Sequence, residues 1–310
     1  MNIVFFGTPE FAVESLKAMI GEGFNVKAVV TSPDRVGGRG NKLIESDVKK
    51  FAVEKGLKVL QPEKLRDPEF IEQLKSLQAD MFVVIAFRML PEIVWSIPPL
   101  GTFNLHASLL PQLRGAAPIN HAIISGFKNT GVTTFFINNE IDKGEILLSA
   151  STSISDEDDA GSLHDRLKTI GADLVVKTIR GIEDGTLKSS PQPQTNCFTL
   201  APKIFKSDCK IDFTKAAKDI SRLVRGLSPY PGAWCRLRLA DDKEIELKIL
   251  KALPKYITLG IEPGMAVVQN KALLVSTGDG AIEIIELQPA GKKAMDARAF
   301  LAGYSPLKFS

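Results

Sequence analysis

Cysteine is scarce in this chain: Cys197, Cys209 and Cys235 are the three among 310 residues. Their number is odd and none sits in a CxxC or other ligand spacing, which excludes a disulfide framework and a cysteine-based zinc site. A reducing cytoplasm is the expected compartment. No apolar run approaches the roughly 18 residues that a membrane helix requires, so no membrane attachment is expected. The start, MNIVFFGTPEF, lacks the basic residues of a signal peptide and reads as a first buried strand. No G-x-G-x-x-G follows that strand, because Gly7-Thr8-Pro9 does not supply it, and neither NAD nor a metal is expected. An excess of one charge is missing as well, with 39 Lys+Arg against 36 Asp+Glu.

What is present suits a folded protein of two domains. A chain of 310 residues is too long for one small core, and 44% hydrophobic with 24% charged residues is an ordinary globular composition. The small net charge of +3 is unevenly placed: residues 201–310 hold 18 basic against 12 acidic side chains, leaving the first 200 slightly acidic. A basic C-terminal third suggests an anionic macromolecule met by one domain. In the first half, apolar runs (NIVFFG, VKAVVT, LKVLQP, DMFVVIAF, GTFNLH, VTTFFIN, EILLSA) alternate with helical patterns (SDVKKFAVEKG, PEFIEQLKSLQ, APINHAIISG). Thr8-Pro9-Glu10 reads as a helix start with Thr8 as the cap and Pro9 at the first helical position. This alternation predicts an α/β fold, a Rossmann-like, mostly parallel sheet whose ligands sit at the carboxyl ends of its strands.

A long amphipathic helix is expected over 160–183, followed by a proline-punctuated stretch that reads as a linker. Closely spaced short strands after it suggest a small C-terminal β-barrel of the OB kind. The expected division is a catalytic domain over 1–189, a linker over 190–206 and a barrel domain over 207–310.

The chemistry concentrates in Asn104-Leu-His106, followed at once by SLLPQLRG. Residues i and i+2 of a strand share a face, so Asn104 and His106 project together from GTFNLH. An amide donor beside an imidazole can stabilise an oxyanion and handle a proton. The strand VTTFFIN runs into Glu140-Ile-Asp142-Lys-Gly144, which places Asp142 at a strand end where its carboxylate can orient the histidine. His121 and His164 read as structural.

NLHASLLPQLRGAAPINHAI, with the later NNEIDKGEIL, resembles the formyltransferases that draw on 10-formyltetrahydrofolate. IVFFGTPEFA, VVTSPDRVGGRGNKL and RLVRGLSPYPGAW extend the likeness over almost the whole chain. The resemblance implies Asn104, His106 and Asp142 as the catalytic residues. It implies a folate pocket walled by Ser108, Leu109, Leu110 and Pro111, with main-chain groups of Phe87, Arg88, Met89 and Leu90 and of Asn138, Asn139 and Glu140 meeting the pterin. Many relatives carry an aromatic–glycine pair before Leu90-Pro91, where this chain has Phe87-Arg88-Met89 and is one residue shorter.

The glycine-rich, basic loop Asp34–Lys42 and the basic second domain are similar to those of the branch acting on methionyl-tRNA. That implies initiator methionyl-tRNA as the partner, with Arg35, Arg39 and Lys42 of a loop mobile until bound, and Lys206, Arg222 and Arg225, as contacts. Such contacts to phosphate weaken with salt. The expected working form is a monomer. Two other readings stand beside this one: a formyltransferase for an amino sugar or glycinamide ribotide, and an RNA-binding protein without catalysis.

Overall fold

Alternating buried strands and amphipathic helices build the N-terminal two-thirds in the computed structural model, which describes residues 1–37, 42–194, 197–257 and 259–310. In chain order the elements are β1 (Asn2–Gly7), α1 (Glu10–Gly21), β2 (Asn25–Val30), β3 (Arg35–Gly37), β4 (Lys42–Ile44), α2 (Asp47–Glu54), β5 (Val59–Leu60) and α3 (Pro68–Ser76). They continue as β6 (Met81–Ile85), α4 (Glu92–Trp95), β7 (Thr102–His106), α5 (Pro118–Ile124), β8 (Asn129–Phe136), β9 (Ile146–Ser153) and α6 (Ala160–Glu183). The last third supplies α7 (Ala217–Leu227), β10 (Ala233–Leu239), β11 (Glu244–Lys255), β12 (Ala266–Gln269) and β13 (Ala272–Ser276). After them come β14 (Ala281–Pro289), β15 (Met295–Asp296), α8 (Ala297–Leu301) and β16 (Pro306–Phe309).

The chain divides into two compact units. One comprises Met1–Gly115, Asn129–Thr152 and His164–Leu200; the other comprises Ala116–Lys128, Ser153–Leu163 and Ala201–Ser310. Residues 116–128 and 153–163, which lie inside the span 1–189, thus pack with the C-terminal barrel. Gly226 of α7 shows why: a Cβ there would lie 2.5 Å from Ile124 of α5, so the two helices meet in close contact.

The first unit is a seven-stranded sheet in the order β5-β2-β1-β6-β7-β8-β9. Strands β5, β2, β1, β6 and β7 are parallel, whereas β8 runs antiparallel to β7. All five residues of β6 are buried, which is why MFVVI reads as a continuous apolar run. On one face, Val4, Phe6, Phe82 and Val84 pack with Phe70, Ile71 and Leu74 of α3 and Val94 of α4. Each such side chain contributes roughly 1.5–3 kcal/mol by leaving water. On the other face α6 comes so close at Gly171 that a Cβ there would lie 2.7 Å from Leu105.

Local signals set the helix starts. Ser46 caps α2 by accepting from the Lys49 N–H at 3.0 Å, and Asp67 caps α3 by accepting from the Glu69 N–H at 3.0 Å, with Pro68 at the first position. The start of α1 differs from expectation. Pro9, in extended conformation, is its cap, and no side chain caps the helix. The Ala12 N–H donates to the Pro9 carbonyl at 3.0 Å, so helical hydrogen bonding begins one residue later than Thr8 implies.

The second unit carries an antiparallel sheet ordered β12-β13-β14-β11-β10-β16, with β15 on β14. A bridge between Met265 and Lys308, with the Phe309 N–H donating to the Gly264 carbonyl at 2.8 Å, brings its ends together into a nearly closed barrel. Helix α7 buries Ala217, Ile220, Val224 and Leu227 at helical spacing against that barrel's core. Cys235 is fully buried in that core, where burial pushes its thiol well above the usual range, and Cys209 is raised for the same reason. Cys197 is exposed. A thiol reagent should therefore modify Cys197 alone in the native protein and all three cysteines after denaturation. Counting labelled thiols with and without guanidinium checks this.

Candidate active site

Strand β7 presents Asn104 and His106 on one face, with Leu105 turned to the α6 side between them. In register, Asn104 lies beside Val84 and Phe135, and His106 beside Thr133. Phe6, Phe82 and Val84 belong to one buried apolar cluster, and Asn104, beside Val84, is half-buried. Among the described residues the Asn104 side-chain amide has no hydrogen-bond partner. His106 is 6% exposed, and its Nε2 lies 2.8 Å from the Leu113 carbonyl oxygen. A carbonyl only accepts, so Nε2 carries the proton and Nδ1 is the nitrogen left to exchange one. The Nδ1 atom faces Asp142 Oδ2 at 3.9 Å, an electrostatic neighbour rather than a hydrogen bond.

The Leu113 carbonyl is aimed by a strained turn. Leu113 is buried and has φ +61°, a left-handed conformation that costs a non-glycine residue roughly 1–2 kcal/mol. Ser108 Oγ donates to the Gln112 carbonyl at 2.6 Å, and Thr133 Oγ1 donates to the Ser108 carbonyl at 2.7 Å. The SLLPQLRG segment is thereby stapled to β8. From the other side the Leu113 N–H donates to the Thr199 carbonyl at 2.7 Å, and the Thr199 N–H to Gln112 Oε1 at 2.9 Å.

Asp142 reaches His106 by a route that the strand pattern does not give. Because β8 is antiparallel, Phe136 at its end lies opposite Phe103, and the Ile137 N–H donates to the Thr102 carbonyl at 2.8 Å. Strand β8 therefore delivers the chain to the amino end of β7, about 13 Å of strand away from His106. The expectation that Asp142 shares a carboxyl strand end with Asn104 and His106 is corrected on this point. The loop from Ile137 to Gly144 folds back instead. Asp142, at φ +54°, accepts the Gly115 N–H on Oδ2 at 2.9 Å. The Gln192 amide donates to the carbonyls of both Asp142 and Gly144, each at 2.8 Å.

The remaining pocket candidates are distributed around this centre. Leu110 is buried, and Pro111 is half-buried. The Leu109 side chain packs against Gly131 of β8. Phe87 meets Phe6 edge-on at 5.7 Å, Leu90 is buried and Met89 is 75% exposed. Arg88 turns away to the carbonyls of Pro62 and Glu63, the latter at 2.8 Å. Asn138 Oδ1 accepts the Glu140 N–H at 2.9 Å, Asn139 is exposed, and Glu140 pairs with Lys143, which holds its carboxyl below the usual range.

Of the cationic candidates, Arg35 is exposed on β3, which pairs with β4 as a short antiparallel ribbon. Lys42 takes its place in that ribbon opposite Gly37, and Arg39 lies outside the described residues. At the flanks of the loop expected to be mobile until bound, Val36 pairs with Leu43. Lys206 Nζ sits 5.1 Å over the Trp234 ring and 3.3 Å from Glu246. Arg222 pairs with Asp219 at 3.4 Å. Arg225 is half-buried and donates to the carbonyls of Asp158 at 2.7 Å and Ser155 at 3.3 Å, which makes it a structural cation.

Three residues of this site carry no sequence signal: the carbonyl of Leu113, the N–H of Gly115 and the amide of Gln192. The first two are main-chain groups. The third lies in a stretch that reads as a linker, yet Ser190 bridges Ile146, and Thr199 and Leu200 pair with Leu113 and Arg114. Elsewhere, Glu10, His164 and Asp165 cluster as metal ligands would, but Lys168 already sits 2.6 Å from Glu10 and 3.0 Å from Asp165.

Comparison with known proteins fits this architecture. The family described as Formyl transferase matches residues 1–179, and its C-terminal domain matches residues 203–305. The class is thus a formyltransferase of two parts. Proteins called methionyl-tRNA formyltransferase from Bacteroides fragilis and Parabacteroides distasonis are 46% and 48% identical to it. The alignments cover 98% and 99% of this chain and 95% and 97% of theirs. The chain belongs to the methionyl-tRNA formyltransferase family. Among solved structures, the sugar 3N-formyl transferase WlaRD shares the fold at a TM-score of 0.66 and 20% identity, covering 94% of this chain and 99% of that one. HypX from Aquifex aeolicus, in complex with tetrahydrofolic acid, gives 0.64 and 18%, covering 98% of this chain and 47% of its own.

Proposed function

We propose that Asn104, His106 and Asp142 carry out the transfer of the formyl group of 10-formyltetrahydrofolate to the free amino group of methionine on initiator methionyl-tRNA. The observation that carries the site assignment is the His106 ring: Nε2 is committed to the Leu113 carbonyl, so Nδ1 alone can exchange a proton, and a carboxylate faces it.

The amino nitrogen attacks the formyl carbon, a C–N bond forms, and negative charge develops on the formyl oxygen. The Asn104 amide, without a hydrogen-bond partner among the described residues, donates to that oxygen. His106 Nδ1 takes the proton that the amine loses, and Asp142 stabilises the resulting imidazolium. When the bond from carbon to folate N10 breaks, the same proton passes to the departing nitrogen. Atoms and charge balance with no metal in the sequence. Main-chain groups of residues 86–90 and 138–142 present the donors and acceptors that a flat, polar pterin needs.

The second unit and the ribbon carrying Arg35 are read as the tRNA-binding parts, with Arg39, Lys42, Lys206 and Arg222 as contacts. Arg225 is read as support for that surface. We place the enzyme in the cytoplasm as a monomer, a setting suited to a chain with three scattered cysteines. The deciding assay incubates the protein and 10-formyltetrahydrofolate with methionyl-tRNA, a nucleotide-linked amino sugar and glycinamide ribotide in parallel. Formyl is expected on methionyl-tRNA. Formyl on a small amine alone would overturn the reading, and formyl on none would leave an RNA-binding protein.

A further inference from the structure

The interdomain segment holds more of the site than a linker should. Gln192 is half-buried, and its two ends meet groups of opposite hydrogen-bonding character. Its Oε1 accepts from Arg114 Nη2 at 2.5 Å and Nε at 3.2 Å, and its Nε2 donates to the carbonyls of Asp142 and Gly144. A guanidinium only donates and a carbonyl only accepts, so the orientation of this amide is fixed by its neighbours. Arg114 is itself braced, its guanidinium lying 5.3 Å from the centre of the Phe198 ring. Arg114 directly follows Leu113, whose carbonyl receives His106, and precedes Gly115, whose N–H holds the Asp142 carboxylate.

We propose that Gln192 is a positioning residue for the reaction, holding the Asp142 loop against His106, with Arg114 fixing the Gln192 amide. The inference rests on the proposed role of Asp142 and deepens it. Asp142 lies on a loop that must fold back across the sheet, in a left-handed conformation, and its carboxylate has one main-chain donor. The two Gln192 hydrogen bonds clamp that loop on both sides of Lys143. Without them nothing described on the C-terminal side of Asp142 ties it to the turn bearing His106's partner. The clamp also ties the site to the segment leading into the second unit.

The test is a mutant cycle on the full chain, measuring kcat and KM for formylation of methionyl-tRNA. Gln192→Ala should lower kcat about 10- to 100-fold, the scale of a misplaced catalytic group. KM for methionyl-tRNA should stay within about twofold, and KM for 10-formyltetrahydrofolate should rise, because the loop that Gln192 clamps is also proposed to meet the pterin. Gln192→Glu keeps the shape and the Arg114 contact but turns an acceptor toward two carbonyls, so it should lose at least as much. It also serves if the alanine variant folds poorly. In an Asp142→Asn background, Gln192→Ala should change kcat less than about twofold, since the group it positions is already disabled.

Wild-type kcat in both Gln192 variants would overturn the inference, as would an equal loss in both backgrounds, which marks a merely structural role. Should Asp142→Asn alone turn over normally, the reading of the site itself falls and this inference with it. If Asp142→Asn is impaired while Gln192→Ala is not, only the positioning role falls.

Discussion

Asn104→Ala is expected to lower kcat for formyl transfer by about 10²–10³-fold, the cost of one lost oxyanion donor. The thermal midpoint should barely move. The amide is half-buried on β7 and has no hydrogen-bond partner among the described residues, so its removal breaks no bond of the fold. A polar side chain with two donors and an acceptor, aimed from a strand and without a partner among the described residues, serves function rather than stability. Asn104→Asp sharpens the point. It keeps the shape but replaces donors with a negative charge at the place where negative charge develops, so it should be no better than alanine. Near-normal turnover by purified, folded Asn104→Ala would defeat the assignment.

His106 is a less clean probe. Its removal deprives the Leu113 carbonyl of its 2.8 Å partner, inside a turn already strained at φ +61°. Loss of activity there mixes chemistry with relaxation of the turn. Asn104 separates the two.

The long parallel run of the sheet was legible because its burial leaves simple marks. Met81–Ile85 is apolar throughout, α6 keeps helical spacing from Ala160 to Glu183, and proline and glycine punctuate the ends. The i, i+2 relation of Asn104 and His106 followed from strand geometry alone. What periodicity does not contain is strand direction. The buried run of β8 reads the same whether the strand runs up or down, so the path that brings Asp142 to within 3.9 Å of His106 is not legible in it. Its real path depends on a loop closed by Gln192, and a single glutamine among prolines has no pattern to betray it. The pairing of β3 with β4 is not legible for a related reason: Arg35–Gly37 and Lys42–Ile44 are three residues each, too short to show alternation. Membership of the second unit by α5 was equally hidden, since helical spacing says which face is buried and not against what.

Gly144→Ala is expected to have the largest combined effect on stability and activity. A Cβ at this position would lie 1.6 Å from the Phe136 carbonyl oxygen, 2.8 Å from its carbon and 3.3 Å from the Phe135 ring. No rotamer relieves this, because a Cβ is fixed to its backbone and the obstructing oxygen is main chain. Either the end of β8 or the returning loop must shift. Overpacking of this kind costs about 1–3 kcal/mol where side chains can yield, and here they cannot, so about 3 kcal/mol or more is expected. For a unit of this size that lowers the midpoint by roughly 6–12 °C. Gly144 also offers one of the two carbonyls held by Gln192 and lies two residues from Asp142, so whatever the loop gives up is taken from the carboxylate facing His106. Turnover measured well below the lowered midpoint should still be severely reduced. Gly21 is the control: an added Cβ there meets nothing within 4 Å, at the end of α1. Gly21→Ala should be neutral, or stabilising by about 0.5–1 kcal/mol through helix propensity. If Gly144→Ala matched Gly21→Ala in midpoint and kept full turnover, the folded-back loop would not be what brings Asp142 to the histidine.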